Sequence, residues 1–402
     1  MTAGPGPANS PSSIERLRAS LTSAVAGELP AAIELRHELH RTAELSGSES
    51  GTAAAVAAAT GFPDAPAIAG TGRLIRIGRR DGPSIAVRAE LDGLPIPEQT
   101  DVSWASATAA MHACGHDVHL AALTALARAA RRVELPVALL AILQPREEAT
   151  PSGALDIADS ADFTAHQPAA VIGVHLQHLL PAGSVAAAAG TVNAATDDFE
   201  ITVTGVGGHA GYPHLTADPI PALCQSVISL QQLISRRIDP THAAVVSVGT
   251  LQAGHAANII PATATARGTI RTLDGQDREF LRTAIRETVA DVCRAHGCEG
   301  AVAVSPAEPA LVNDPGLTAA CHPFLRQAGF TVDEQFRSCG ADDFSYYSRS
   351  APAVMMFTGS GTSVALHSSR FLPADDRVGQ VANAMIAGYL AAVVSMGARE
   401  SC

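Results

Sequence analysis

The sequence predicts an α/β fold, a sheet with helices on both faces, interrupted by an inserted ferredoxin-like α+β domain. Three observations predict it. Short apolar runs of buried-strand type alternate with helical stretches in the first half. From about residue 197 the texture becomes β-α-β-β-α-β, the order of a split βαβ unit. After about residue 309 the βα alternation returns, and βα alternation is what covers both faces of a sheet. At 402 residues the chain also exceeds the size at which one core usually stops growing, so two domains are expected.

The elements follow in order. Residues 1–13, "MTAGPGPANSPSS", lack a basic-then-apolar signal pattern and read as a disordered leader. Helical stretches are expected at about 14–40, 48–60 and 117–132, and strands at 84–90 ("SIAVRAE"), 137–143 ("VALLAIL") and 169–176 ("AAVIGVHL"). In the insert, "DFEITVTGV" alternates apolar and polar residues as a half-buried strand does. The helix "PIPALCQSVISLQQLISRRI" follows, then strands "AAVVSVGTLQ" and "ATARGTIRTL", the amphipathic helix "DREFLRTAIRETVADVCRAHG" and strand "GAVAVSPA". Strand "AVMMFTG" (353–359) and a helix at 376–397 close the chain. The boundaries are therefore 14–196 with 309–402 for one domain and 197–308 for the other.

The net charge of -12 argues against nucleic acid and anionic membrane as partners, since both require a basic face. All 27 basic residues are arginine, which excludes Schiff-base, pyridoxal-phosphate and P-loop mechanisms, because each needs a lysine. Seven cysteines, an odd number without framework spacing, point to a reducing, cytoplasmic compartment. No stretch approaches the ~20 uninterrupted apolar residues of a membrane span.

The chemistry concentrates in "MHACGHDVH" (111–119), where three histidines and a cysteine share nine positions. Polar residues also follow the carboxyl ends of the expected strands, where open α/β sheets gather ligands. Asp92 follows strand 84–90, Glu147 and Glu148 follow 137–143, His175 ends 169–176, and His367 lies beyond 353–359. Taken singly, each has a bland explanation: a core histidine, a solvated glutamate pair, a small buried cysteine. Together with Cys114 and His116 they assemble thiolate, imidazole and carboxylate groups at the mouth of one sheet, a mixture that suits borderline divalent metals such as Zn2+. The donors are too many for one tetrahedral ion that keeps a water, so two metals sharing a bridging ligand is the better count.

The chain resembles the M20 metallopeptidases, in their aminoacylase and carboxypeptidase-like amidohydrolase branch, which includes hippurate hydrolases and auxin-conjugate hydrolases. The resemblance runs in order over nearly the whole chain through "LRHELHRTAELSGSE", "AVRAELDGLPI", "MHACGHDVH", "LQPREE", "GVHLQHLLPAG", "GVGGHAGYPH", "ANIIPATATARGTIRT", "GADDFSYY" and "LHSSRFLPADD". It implies a mixed-sheet catalytic domain and an inserted lid and dimerisation domain, with a homodimer or higher homo-oligomer formed through the lid. It also implies two divalent ions (Zn2+ or Mn2+, with Co2+ or Ni2+ as further candidates) held by Cys114, His116, Glu148, His175 and His367, with Cys114 bridging. Glu147 would be the general base toward water. Asp92 would orient a ligand histidine, His116 first among them, with His112 and His119 in supporting positions. In the insert, His209 would reach the scissile carbonyl oxygen, in some relatives from the partner subunit, while Asn258 and Arg271 would hold the substrate carboxylate.

The expected reaction is hydrolysis of the amide of a small N-acyl amino acid. The alternatives are a dipeptidase or carboxypeptidase with the same machinery, and a non-catalytic metal-binding homologue. Several positions depart from the family pattern: Glu90 for aspartate, Val118 for glycine and Arg146 for a small residue before the glutamates, with "ATPSGA" for a glycine-rich turn and His178 and Tyr212 unusual beside the pocket. None removes a proposed ligand or the base; they bear on which acyl group is accepted.

Overall fold

A computed structural model describes residues 11–400. They fall into two compact units, one built from residues up to 190 with 312–336 and 343 onward, the other from 191–311 with 337–342. The chain begins with α1 (Pro11–Arg41) and α2 (Ser50–Thr60), then β1 (Ala67–Ile68), β2 (Gly72–Ile77) and β3 (Ser84–Glu90). Next come α3 (His116–Ala130), β4 (Ala138–Gln144), α4 (Gly153–Ala158), α5 (Ala161–Ala165), β5 (Pro168–Gln177), β6 (Ser184–Ala186) and β7 (Gly190–Asn193). The middle of the chain forms β8 (Ala195–Thr204), β9 (Gly208–His209), α6 (Pro219–Arg237), β10 (Ala244–Ala253), β11 (Ile259–Ile260), β12 (Thr263–Thr272), α7 (Gly275–Ala295) and β13 (Glu299–Pro306). The last part adds β14 (Leu311–Asn313), α8 (Pro315–Gln327), β15 (Thr331–Asp333), a 3-10 segment (Asp343–Arg349), β16 (Ala353–Gly359) and α9 (Asp376–Glu400). Residues 1–10 of the expected leader lie outside the described residues, and 11–13 are the first turn of α1 rather than disordered chain.

The first unit is built on an eight-stranded mixed sheet of order β1-β2-β4-β3-β5-β16-β6-β15. Its centre, β4-β3-β5-β16, is parallel throughout. β2 runs antiparallel to β4, and β16 antiparallel to β6. Every residue of β3, β4 and β16 is buried, as the unbroken apolar runs of a strand covered on both faces require. The parallel centre has one decisive consequence: the carboxyl ends of β3, β4, β5 and β16 all open on the same edge.

Helices α1, α3, α8 and α9 pack together, and α9 lies on β5, β3 and β16. By length and composition alone Asp376–Ala398 could cross a membrane (23 residues, mean hydropathy 1.6), although Gln380 and Asn383 interrupt its apolar residues. Its apolar character has another cause: most of it is buried within the unit, where Val381, Met385, Tyr389 and Leu390 join the main core.

The second unit holds a four-stranded antiparallel sheet of order β10-β12-β8-β13. Helices α6 and α7 cover one face, burying Leu223, Leu230, Leu281, Ile285 and Val289 against Ile201, Val203 and Ile270. Asp197, almost fully buried at the start of this sheet, takes the guanidinium groups of Arg278 (2.8 Å) and Arg282 (2.6 Å) from α7.

Candidate metal centre and active site

The site is assembled at the common edge of β3, β4, β5 and β16. Gly115 makes the first move. It caps α3 at φ 86°, a conformation that strains any residue with a Cβ, and an added Cβ would also press on Leu176 Cδ1 at 2.7 Å, so glycine is favoured. The turn sets Cys114 just before the helix and His116 at its first position, both buried. A helix N-terminus favours negative charge on the thiol beside it. Beyond β16, His367 also has a positive φ (64°), and its N–H donates to the Ala113 carbonyl at 2.9 Å, which ties the last ligand candidate to the same loop. A non-glycine residue held there carries strain of the kind found at functional sites.

The candidate donors converge. Cys114 Sγ lies 3.4 Å from His175 Nε2, and Glu148 Oε1 lies 3.4 Å from His367 Nε2. Ligand atoms of Cys114, His116 and Glu148 all fall within 4.8 Å of one another. Glu147 Oε2 is 3.8 Å from His116 Nε2, with the Glu147 side chain only 10% exposed. Cys114, His116, Glu147, Glu148, His175 and His367 thus form one linked cluster.

Tautomers are set by the surrounding backbone. His116 Nδ1–H donates to the Asp92 carbonyl (2.8 Å), and His175 Nδ1–H donates to the Leu176 carbonyl (2.6 Å). Each ring therefore turns an unprotonated Nε2 into the cluster, the arrangement of a metal-ligating imidazole. Among the described residues, the buried His116 Nε2 and Glu148 Oε1 accept no hydrogen bond. His119 differs: Nδ1–H donates to Glu90 Oε2 at 2.9 Å, and Nε2 accepts the Leu176 N–H at 3.0 Å. With both nitrogens engaged, His119 holds Glu90 and β5 in place and has no lone pair to offer.

Asp92 acts otherwise than the sequence suggests. Its backbone carbonyl, rather than its carboxylate, orients His116; the carboxylate Oδ1 is 3.7 Å from His116 Nδ1. Oδ2 instead accepts the Ser46 hydroxyl (2.6 Å) and the Glu148 N–H (2.9 Å), so the carboxylate fixes the glutamate loop. A buried network that sequence reasoning missed lies beneath the site. Arg88 on β3 binds Glu90, Gln144 Oε1 (2.9 Å) and Asp343 Oδ1 (2.7 Å), and Asp343 also accepts from Ser152 (2.6 Å). In the sequence Glu90 stands out only as a departure from pattern, and no local signal marks a strand arginine as buried.

The electrostatics suit a cation. Burial pushes the Cys114 thiol well above its ordinary range, and the carboxylates of Glu148, Glu147 and Glu90 add to that shift. Burial favours protonation of Asp92 and raises its carboxyl, against His116, Ser46 and the Glu148 N–H. Burial opposes charge on Glu148 too, but His367 and His116 outweigh it and hold the carboxyl low. Burial, then neighbouring His119, pushes His175 down to about 3, leaving a neutral imidazole. Burial likewise takes His112 to about 3. These groups would hold a divalent ion well, since its charge would offset the carboxylate repulsion and favour the Cys114 thiolate. Donor types, tautomers and charge all fit a metal.

His209, Asn258 and Arg271 belong to the second unit. β9 and β11 pair so that His209 faces Ile259, and the Ala210 N–H donates to the Asn258 carbonyl at 3.1 Å, which brings His209 and Asn258 side by side. His209 is exposed, and its Nδ1 accepts the Gly211 N–H at 3.0 Å. Arg271, on β12, is half-buried and donates to the Thr196 hydroxyl.

Known proteins place the chain. Residues 86–387 match Peptidase family M20/M25/M40. An N-acetyldiaminopimelate deacetylase of Shouchella clausii is 35% identical, over 79% of this chain and 85% of its own length. An N-acetylcysteine deacetylase of Bacillus subtilis is 33% identical, over 84% of this chain and 90% of its own. Among solved structures, the Bacillus subtilis protein YXEP, described as a dinuclear metal binding peptidase from the M20 family, superposes with a TM-score of 0.79 at 28% identity, covering 92% of this chain and 99% of its own. The chain belongs to peptidase family M20/M25/M40.

Proposed function

We propose that this protein is a metal-dependent amidohydrolase that cleaves the amide of small N-acyl amino acids, releasing a carboxylic acid and a free amino acid. The observation that carries it is the cluster in which the buried Cys114, His116 and His175 converge with Glu148 and the more exposed His367, with Glu147 beside His116. Cys114 would be shared between two ions, His116 and His175 would ligate through Nε2, and Glu148 and His367 would complete the set. Two divalent ions, when bound, supply Lewis-acid polarisation of the scissile carbonyl and acidify water. The candidates are Zn2+ or Mn2+ first, with Co2+ or Ni2+ beyond them; the thiolate favours the softer Zn2+, while the carboxylate suits the harder Mn2+.

Glu147 takes a proton from the attacking water as its oxygen bonds to the carbonyl carbon. The same carboxyl then delivers that proton to the amide nitrogen as the C–N bond breaks, so a neutral amine leaves. His209 donates to the developing oxyanion, and Asn258 with Arg271 grips the substrate carboxylate, which an arginine fork suits. Deacetylase relatives support small acyl groups as the first to test. A homodimer or higher homo-oligomer through the second unit, and a cytoplasmic location, belong to the same reading. The location rests on the cysteines, since Cys114, Cys224, Cys293, Cys298, Cys321 and Cys339 are all free thiols.

The experiment is a screen of acetyl-, benzoyl- and long-chain acyl amino acids against dipeptides, with Mn2+, Co2+ or Zn2+ added and free amine measured. Release from acyl amino acids in preference to dipeptides is expected. Preference for dipeptides would make the chain a peptidase, and no turnover under any metal would make it a non-catalytic homologue.

A further inference from the structure

The loop that carries Glu147 is pinned on both sides of that residue by buried carboxylates. The Glu148 N–H donates to Asp92 Oδ2 at 2.9 Å, and the Arg146 N–H donates to Glu49 Oε1 at 2.9 Å. Glu49 is fully buried in the turn between α1 and α2. Its Oε1 also accepts the Gly47 N–H at 2.7 Å, and its Oε2 accepts the Thr71 hydroxyl at 2.6 Å. One side chain therefore joins the turn after α1, the residue before β2 and the glutamate loop after β4. Arg146 needs such a partner. Its φ of 51° is a conformation that a non-glycine residue adopts at a cost, and its guanidinium reaches outward to the Pro151 carbonyl (2.8 Å), the Ala69 carbonyl (3.2 Å) and Asp156. This backbone twist sets the direction in which the next residue, Glu147, leaves the loop.

We propose that Glu49 is a positioning residue for the reaction: by holding the Arg146 N–H it fixes the left-handed turn that aims the Glu147 carboxylate at the reacting water. The proposal rests on the reading of Glu147 as the base. A misplacement on the order of 1 Å at a reacting group can cost about a hundredfold in rate, so a brace of this kind matters to turnover more than to binding.

The test compares Glu49→Ala with Glu49→Gln, alone and combined with Glu147→Gln, in enzyme of measured metal content. Glu49→Ala is expected to keep its metal and a KM within about twofold of wild type while kcat falls roughly 10- to 100-fold. Glu49→Gln keeps an oxygen for both N–H groups and turns its amide toward Thr71, whose hydroxyl can accept; kcat should recover to within about threefold of wild type. Adding Glu49→Ala to Glu147→Gln should cost nothing further, because the group being aimed is gone. If the alanine variant does not fold, Glu49→Asp, one methylene shorter and still charged, is read the same way. An unchanged kcat per metal-loaded chain, or losses that multiply in the double variant, would overturn the proposal. Wild-type turnover in Glu147→Gln alone would overturn the reading of Glu147, and this proposal with it.

Discussion

Cys114 Sγ and His175 Nε2 lie 3.4 Å apart, although 61 residues separate them in the chain. One ends the turn before α3 and the other sits near the end of β5, so the contact exists only because β3, β4 and β5 run parallel and deliver their carboxyl ends together. His175 spends its Nδ1–H on the Leu176 carbonyl and is neutral, which leaves a lone pair aimed at the sulfur. A thiol and an imidazole so arranged are two donors to a shared ion.

Removing either kind of donor should remove metal. Cys114→Ala and Glu148→Gln are expected to lower both metal content and activity, since the remaining set no longer satisfies a divalent ion. Elemental analysis of dialysed variants checks this. Wild-type metal content in both variants would mean that the ions bind elsewhere.

Gly115→Ala should fail for a backbone reason. Its φ of 86° and the 2.7 Å approach of Leu176 to an added Cβ predict a destabilisation of about 1–3 kcal/mol, with loss of metal because Cys114 and His116 flank the turn. Denaturant midpoints and metal content in the same preparations decide it, and an alanine variant as stable as wild type would contradict the account.

The second unit should separate binding from chemistry. Arg271→Ala is expected mainly to raise KM, and to do so little for an amidated substrate without a carboxylate. His209→Ala should lower kcat by about 10²–10³-fold, the usual cost of one oxyanion donor. If His209 acts across a dimer, mixing inactive Glu147→Gln and His209→Ala subunits will restore activity, and no recovery in subunits shown to exchange would place it within its own chain.

His40 carries a pH dependence of stability. Its Nδ1 faces Asp117 at 3.0 Å and its Nε2 faces Glu98 at 3.1 Å, and Arg36 lies 3.1 Å from the same Asp117 oxygen. Burial alone would lower the imidazole, but Asp117 and Glu98 outweigh it and raise it above 6.5. A raised folded value gives stability that is fully present below the unfolded value of about 6.5 and lost as pH rises through the folded one. The stability gap between wild type and His40→Gln should therefore be wider at pH 6 than at pH 9. A gap that is constant or grows with pH would contradict it.

Much of this was legible before the structure because the chemistry follows the strands. β3, β4, β5 and β16 are apolar runs buried on both faces, and Asp92, Glu147, Glu148, His175 and His367 stand at or beyond their ends. What stayed hidden depends on orientation rather than residue type. Arg88 reads as an exposed strand charge until its ring of acceptors is seen, and nothing in "ELDG" says that Asp92 serves His116 through its carbonyl and Glu148 through its carboxylate. The three-residue strands β6 and β15 are too short to show a period.

The central claim is that a metal-loaded cluster hydrolyses the amide with Glu147 as its base, and the most direct measurement is metal content and turnover of Glu147→Gln in one preparation beside wild type. The account predicts two ions per chain in both, with kcat lowered in the variant by about 10²–10⁴-fold, the usual worth of a general base. Full metal occupancy with undiminished turnover would contradict it.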